Sequence, residues 1–411
     1  MTIPSHRIVS ASRERSYCVR LLPQLSSGEI AELVRVIDGR RSLLVSTPTV
    51  ARLYAKAITR RLRESGVDIS LVILQCTEQS KTMLEVEALC QKCFGAGLDR
   101  RSLLIGCGGG VSTDLVTMAA ALTRRGLNYL RIPTTLIGLI DAGIGVKGAV
   151  NLPKKKSAIG VFYPPEQVLL DPEFLRTLPN GPLSDGLAEA IKVAVALDPK
   201  LFEFLERFSS DLLKSPATAD PKDLKELVWQ STLGLLNELE PNLYEDKTYQ
   251  RVLDFGHTFS PFIESMSDFR VTHGVAVGLD IALSSAVAYE LDLLSCGDRN
   301  RILASLQSAG LPIYSHLLTA ENCFRSLEEI EAHRGGHLNL VVPSGIGQSR
   351  FITERRSVSS QLLKSAIISL NLSARRRLFV ADIGSVTPAA APWSARITRA
   401  GRKLLQKAAS G

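Results

Sequence analysis

Along the first half of the chain, short apolar runs alternate with stretches whose apolar positions recur every three or four residues. Ser42 to Ser46 (SLLVS), Ser70 to Gln75 (SLVILQ), Ser102 to Ile105 (SLLI) and Tyr129 to Ile132 (YLRI) have strand length and character. Between them, Thr49 to Ser65 and Lys81 to Phe94 carry the helical period. Such alternation predicts an α/β fold in which a mostly parallel sheet is covered by helices. From about Leu183 the texture changes to long Ala- and Leu-rich helical segments with few strand signals. The pattern therefore divides the chain into a parallel-sheet domain over 1–180, a mostly α-helical domain over 181–372 and a tail over 373–411, with no internal repeat. The first boundary falls beside Thr177, Leu178, Pro179 and Asn180.

Composition narrows the class. A chain of 411 residues with 45% hydrophobic content supports a sizeable core. No apolar run reaches membrane-spanning length, and the N-terminus lacks the apolar stretch of a signal peptide, so a soluble, cytoplasmic protein without a membrane partner is expected. Seven scattered cysteines, an odd number, predict reduced thiols rather than a disulfide framework. Cys90 and Cys93 form a C-x-x-C, but no second pair follows and the surrounding segment has the look of an amphipathic helix. The net charge of +8 is concentrated in the tail, where Arg375, Arg376, Arg377, Arg396, Arg399, Arg402, Lys403 and Lys407 face only Asp382. The tail reads as a solvated, flexible extension, the body is close to neutral, and nucleic acid is not the expected ligand.

Two features carry chemistry. After the strand SLLIG come Gly106, Gly108, Gly109 and Gly110, then Asp114 and a helical stretch. Glycines between a strand and a helix let backbone N–H groups approach a diphosphate, although a plain tight turn explains such a loop equally well. The second feature is a set of three segments, GLAEAIK with Glu189, DFGHTFSPFIE with His257 and THGVAVGLD with His273. Two imidazoles and a carboxylate can bind a divalent ion and leave positions open for substrate oxygens; helix-capping or core histidines are the alternative. Lys192, three residues after Glu189, shares its helix face.

Taken in order, GGGVSTD, RIPTTLIGLIDAGIGVKGAVN, YPP, FLRTLP, GLAEAIK, DFGHTFSP and THGVAVG resemble the dehydroquinate-synthase-like sugar phosphate cyclases, from about Leu43 to Gly347. The resemblance implies an N-terminal Rossmann-like domain, a helical C-terminal domain with the active site between them, NAD, a zinc or cobalt ion, and a homodimer. It implies Glu189, His257 and His273 as metal ligands. Glu78 and Lys81 would meet the adenosine ribose, and Gly109, Gly110 and Asp114 the phosphate and nicotinamide end. Thr134 and Thr135 would make further NAD contacts, and Phe174, Leu175, Arg176 and Thr177 would form the far wall. Asp141, Lys147, Lys156 and Lys192 would line the cleft, and Arg125 would reach the neighbouring subunit's substrate phosphate. The implied chemistry is hydride removal by NAD, phosphate elimination, hydride return and an internal aldol closure, with no net oxidation.

Departures from dehydroquinate synthase point to a subgroup. Where that enzyme holds a substrate carboxylate with Arg, Lys and Asn, this chain has Gln250, Leu236 and Asp254, which predicts a substrate without the carboxylate. Pro261 replaces a second histidine. ELEPNLYE, DFGHTFSP and HRGG are similar to the 2-epi-5-epi-valiolone synthases, which implies sedoheptulose 7-phosphate as substrate, with Asp254 and His333 at its sugar end. The 2-epi-valiolone synthases share that substrate, and a degenerate, non-catalytic member or a related metal-dependent alcohol dehydrogenase are further alternatives. Ser157 stands where the family has Asn, and Gly148 where Thr is usual.

Overall fold

Six short strands, the central ones apolar on both faces, build the first half. In the computed structural model, which describes residues 15–384 apart from 23, 154, 249 and 334–337, they are β1 (Cys18–Leu21), β2 (Ser42–Ser46), β3 (Ile69–Ile73), β4 (Leu103–Gly108), β5 (Asn128–Pro133) and β8 (Gln167–Leu170). All are parallel, in the order β1-β8-β5-β4-β2-β3. Every residue of β2 and β4 is buried. Leu44, Ile105 and Ile132 feed one apolar cluster while Leu43, Val45, Leu104 and Tyr129 feed another, so alternate positions serve opposite faces.

Helices cover both faces: α1 (Ala31–Ile37), α2 (Pro48–Val50) continuing through a π-helical stretch at Ala51–Ala55 into α3 (Lys56–Glu64), α4 (Met83–Gly95) and α5 (Gly110–Leu122). The expected strands and helices are present with ends shifted by a few residues. Strands β1 and β8 carry no separate signal because each has only four residues, and β1 is not fully buried. Between β5 and β8 an antiparallel hairpin of β6 (Lys147–Leu152) and β7 (Lys155–Phe162) stands apart from the main sheet. Cys93 is buried and Cys90 half-buried on α4 against the sheet, so the C-x-x-C is packing, and all seven cysteines are unbridged.

The second half is helical, with α6 (Asn180–Leu197), α7 (Pro199–Lys214), α8 (Pro221–Leu239), α9 (Ser260–Met266), α10 (His273–Glu290), α11 (Cys296–Ser308), α12 (Ala320–His333) and α13 (Ser360–Gly384). A small antiparallel pair, β9 (Leu340–Gly345) with β10 (Gln348–Ile352), interrupts them. Helices α6 and α10 are buried nearly all round, as helices apolar on every face must be. Their close approach depends on Gly274, where a Cβ would lie 2.1 Å from the Asp185 Cα. The chain divides into Met1–Asn371 and Leu372–Gly411, and the tail residues 385–411 lie outside the described residues. Among the described residues no helix is long and apolar enough to cross a membrane.

Candidate active site

Helices α6 and α10 bring Glu189 and His273 together, and the turn before α9 adds His257. Ligating atoms of the three lie within 4.8 Å of one another. Glu189 Oε1 is 3.1 Å from His273 Nε2 and 3.7 Å from His257 Nε2. Both Glu189 oxygens are buried without a hydrogen bond of proper geometry, although Lys192 Nζ stands 2.5 Å from Oε2. Such a converging, under-satisfied donor set fits a divalent cation. On the far side of the ring, His273 Nδ1 is 3.0 Å from Glu264 Oε1, and Lys156 pairs with the other Glu264 oxygen. A carboxylate behind a ligating imidazole fixes ring orientation and raises its basicity.

Charges in the cleft follow from this packing. Burial, with Lys192 nearby, pushes His257 down to about 3, which leaves a neutral ring. For His273 burial also acts downward, but the carboxylates of Glu189 and Glu264, 3.1 and 3.0 Å from its two ring nitrogens, outweigh it and raise the ring to about 9. Burial opposes ionisation of Glu264 as well, yet His273 and Lys156 hold it down at about 2. Lys192 is buried, but Glu189 and Asp141 overcome that penalty and keep it charged. Asp141, 3.7 Å from Lys192, is pushed up by burial.

Beside the triad lies a cavity of about 340 Å³ lined by Asp141, Lys147, Lys192, Arg251, Asp254 and His257 among others. A second, of about 500 Å³, shares Asp141 and Lys147 and adds Glu78, Lys81, Gly110, Asp114, Lys156 and Ser157. There Lys81 Nζ lies 2.5 Å from Asp114 and donates to Ser157 Oγ at 3.3 Å, while Glu78 accepts from Asn151 at 2.8 Å. A third cavity, also about 500 Å³, runs over Gly109, Gly110, Thr134, Thr135, Phe174 and Thr177. Here α5 begins directly at the glycines, and the Thr134 hydroxyl is buried without a partner. Open backbone at a helix N-terminus with an unsatisfied hydroxyl beside it fits the diphosphate of a dinucleotide.

Several expected residues are placed differently. Of Phe174, Leu175, Arg176 and Thr177, only Phe174 and Thr177 line the third cavity; Leu175 is fully buried and Arg176 turns to Glu173 and to the Ala217 carbonyl. The segment is a 3-10 helix, in which residues three apart share a face. Arg125 is exposed beside Arg100, Arg101 and Arg124, around a hollow that shares no residue with the cleft. Of Gln250, Leu236 and Asp254, only Asp254 lines the cleft. The neighbouring Arg251 does so too and sets a cation beside Asp254; it is held by Asp254 at 2.8 Å and by Glu245. The His333 side chain lies outside the described residues. Arg251, Glu245 and Glu264 were not legible as site residues, although Glu264 closes the quoted motif DFGHTFSPFIE.

Residues 71–185 match the N-terminal model of 3-dehydroquinate synthase and residues 186–329 its C-terminal model. This chain is a sugar phosphate cyclase of the 3-dehydroquinate synthase family. It is 36% identical to a 2-epi-5-epi-valiolone synthase from Streptomyces glaucescens over 82% of this chain and 87% of that one. It is 32% identical to a 3-dehydroquinate synthase from Picosynechococcus over 86% and 96%. Among solved structures, a 2-epi-5-epi-valiolone synthase from Streptomyces hygroscopicus with NAD+ and Zn2+ bound superposes with a TM-score of 0.83 at 34% identity, covering 89% of this chain and all of that one.

Proposed function

We propose that this cyclase is a 2-epi-5-epi-valiolone synthase, converting sedoheptulose 7-phosphate to a seven-carbon carbocycle and inorganic phosphate. The reading is supported by likeness to such enzymes along most of the chain. The observation that carries it is the pairing of Asp254 with Arg251 in the wall of the cleft, which leaves that arginine engaged and suits hydroxyl groups rather than a carboxylate.

When bound, NAD supplies a hydride acceptor that returns what it takes, and a divalent ion, zinc or cobalt, supplies Lewis acidity at the substrate oxygens. Glu189, His257 and His273 would hold the ion, with Glu264 fixing the His273 ring. Gly109, Gly110, Thr134 and Thr135 would hold the dinucleotide diphosphate, with Phe174 and Thr177 as wall and Glu78, Lys81 and Asp114 beyond the glycines. Lys147, Lys156 and Lys192 supply positive charge for the leaving phosphate. Asp141, 3.7 Å from Lys192, lines the cleft beside it. Over the whole reaction one C–O bond to phosphate breaks, one C–C bond forms, and no net oxidation occurs. In the assembled enzyme a homodimer would bring Arg125 to the neighbouring cleft.

Incubation of zinc-loaded protein and NAD with sedoheptulose 7-phosphate should release phosphate and a carbocycle identifiable by NMR, without accumulation of NADH. Comparable turnover of the carboxylated seven-carbon sugar phosphate would overturn the reading. Replacement of His257 or His273 by Ala should abolish bound metal and turnover together, because three protein ligands leave no redundancy.

A further inference from the structure

Glu245 stands in the cleft wall between two cations. Its carboxylate contacts Lys147 Nζ and Arg251 Nη1 at once, and its side chain is only 20% exposed. The backbone is built to aim it there. Asn242 closes the turn by accepting from Lys247 N at 3.0 Å, donating to the Thr248 carbonyl at 2.9 Å, and accepting on its own carbonyl from Glu245 N at 2.9 Å. Within this turn Glu245 holds a φ of 55°, a left-handed conformation that residues with a long side chain seldom adopt. A strained, over-determined position in a cleft is where a side chain has a task.

The charges say what the task is. Lys192 is already matched by Glu189 and Asp141, and Arg251 by Asp254. Glu245 matches Lys147 and adds a second carboxylate to Arg251. Without it, Lys147 and Arg251 together would present an excess positive charge across the gap that Glu245 now bridges. We propose that Glu245 is a specificity-determining residue: by matching Lys147 and covering the Arg251 Nη1 that Asp254, paired with Nη2, leaves open, it denies the cleft a second anion-binding point, so that a ligand with one anionic group and an otherwise neutral polyol chain is favoured. The inference rests on the cleft being a sugar phosphate site. A phosphate that reaches Lys147 displaces Glu245 from it, while Arg251 stays covered.

Calorimetric titration of the protein loaded with zinc and NADH tests this with two six-carbon phosphate esters, glucitol 6-phosphate and 6-phosphogluconate, which differ by a terminal carboxylate. NADH in place of NAD prevents oxidation of either probe. Wild type should bind glucitol 6-phosphate at least as tightly as 6-phosphogluconate. Glu245→Gln should shift the ratio of dissociation constants toward 6-phosphogluconate by about tenfold or more, the scale of one added ion pair. The shift should vanish in the Glu245→Gln, Arg251→Gln double variant. If Glu245→Gln does not fold, Glu245→Gly, which suits the left-handed backbone, should give the same shift. An unchanged ratio, or a shift that persists without Arg251, overturns the proposal. Failure of both probes to bind any of the proteins overturns it together with the reading beneath it, and phosphate release from sedoheptulose 7-phosphate by wild type tells the two failures apart.

Discussion

Ser157 holds a φ of 48°, where asparagine is several-fold enriched over serine, and its N–H donates to Asn151 Oδ1 at 2.7 Å. Asparagine at this position is thus favoured by the backbone itself. Ser157→Asn should raise stability by about 0.5–1 kcal/mol in urea unfolding, from conformational preference alone; an unchanged or lower midpoint would show that the serine hydroxyl on Lys81 matters more. Gly148 is a different kind of departure. A Cβ there would lie 2.6 Å from the Cβ and Cγ2 of Thr117 on α5, so a neighbouring threonine already fills the space. Gly148→Thr should cost about 1–3 kcal/mol through overpacking, read as a fall in melting temperature, and a tolerated substitution would contradict the close approach.

Helix α10 acts as the spacer between the two histidine segments. Seven residues beyond His273, on the same face, Asp280 accepts from the N–H groups of Phe259 and Ser260 at 2.5 and 2.9 Å, and from the Ser284 hydroxyl at 2.9 Å. It thereby ties the start of α9, just after His257, to the helix that begins with His273. Burial outweighs these donors and raises Asp280 to about 6. The folded state therefore binds this proton more tightly than the unfolded chain. The stability it contributes is full below the unfolded value of 3.8, falls as pH rises toward about 6, and is lost above it. In metal-free protein, the stability of wild type minus that of Asp280→Asn should drop by about 2–3 kcal/mol between pH 4 and pH 7, from roughly two pKa units. A pH-independent difference would mean that Asp280 does not titrate in this window.

Burial and local pattern decided which elements could be read from the chain. Strands β2 and β4 were legible because both faces are buried and the sequence is apolar without interruption. The polar, half-exposed hairpin β6–β7 offers no such pattern. Glu189, His257 and His273 were legible as a set because each sits in a compact motif. Glu245 and Arg251 were not, since their meaning arises only when a strained turn swings them against Lys147 and Asp254.

Across the whole molecule, the residues assigned to the cleft precede α13, and Arg396, Arg399, Arg402, Lys403 and Lys407 follow it. Helix α13 extends to Gly384, beyond the boundary expected at 372. Removal of residues 385–411 should therefore leave zinc content and phosphate release within about two- to threefold of the full chain. A larger loss, or a change of elution volume in gel filtration, would give the basic tail a structural role.

Arg131 on β5 is fully buried, and the partners of its guanidinium are the carbonyls of Gly143, Gly145 and Lys147 and the Thr117 hydroxyl. A cation sealed among neutral dipoles is tolerable only when every one of them is in place. Until the segment from Gly143 to Lys147 has wrapped around it, the central strand carries a charge that must stay wet. The sheet and the backbone from Gly143 to Lys147 are thereby coupled: a local opening of that segment would strip a buried charge of its partners, so the strand and the loop are stable only together.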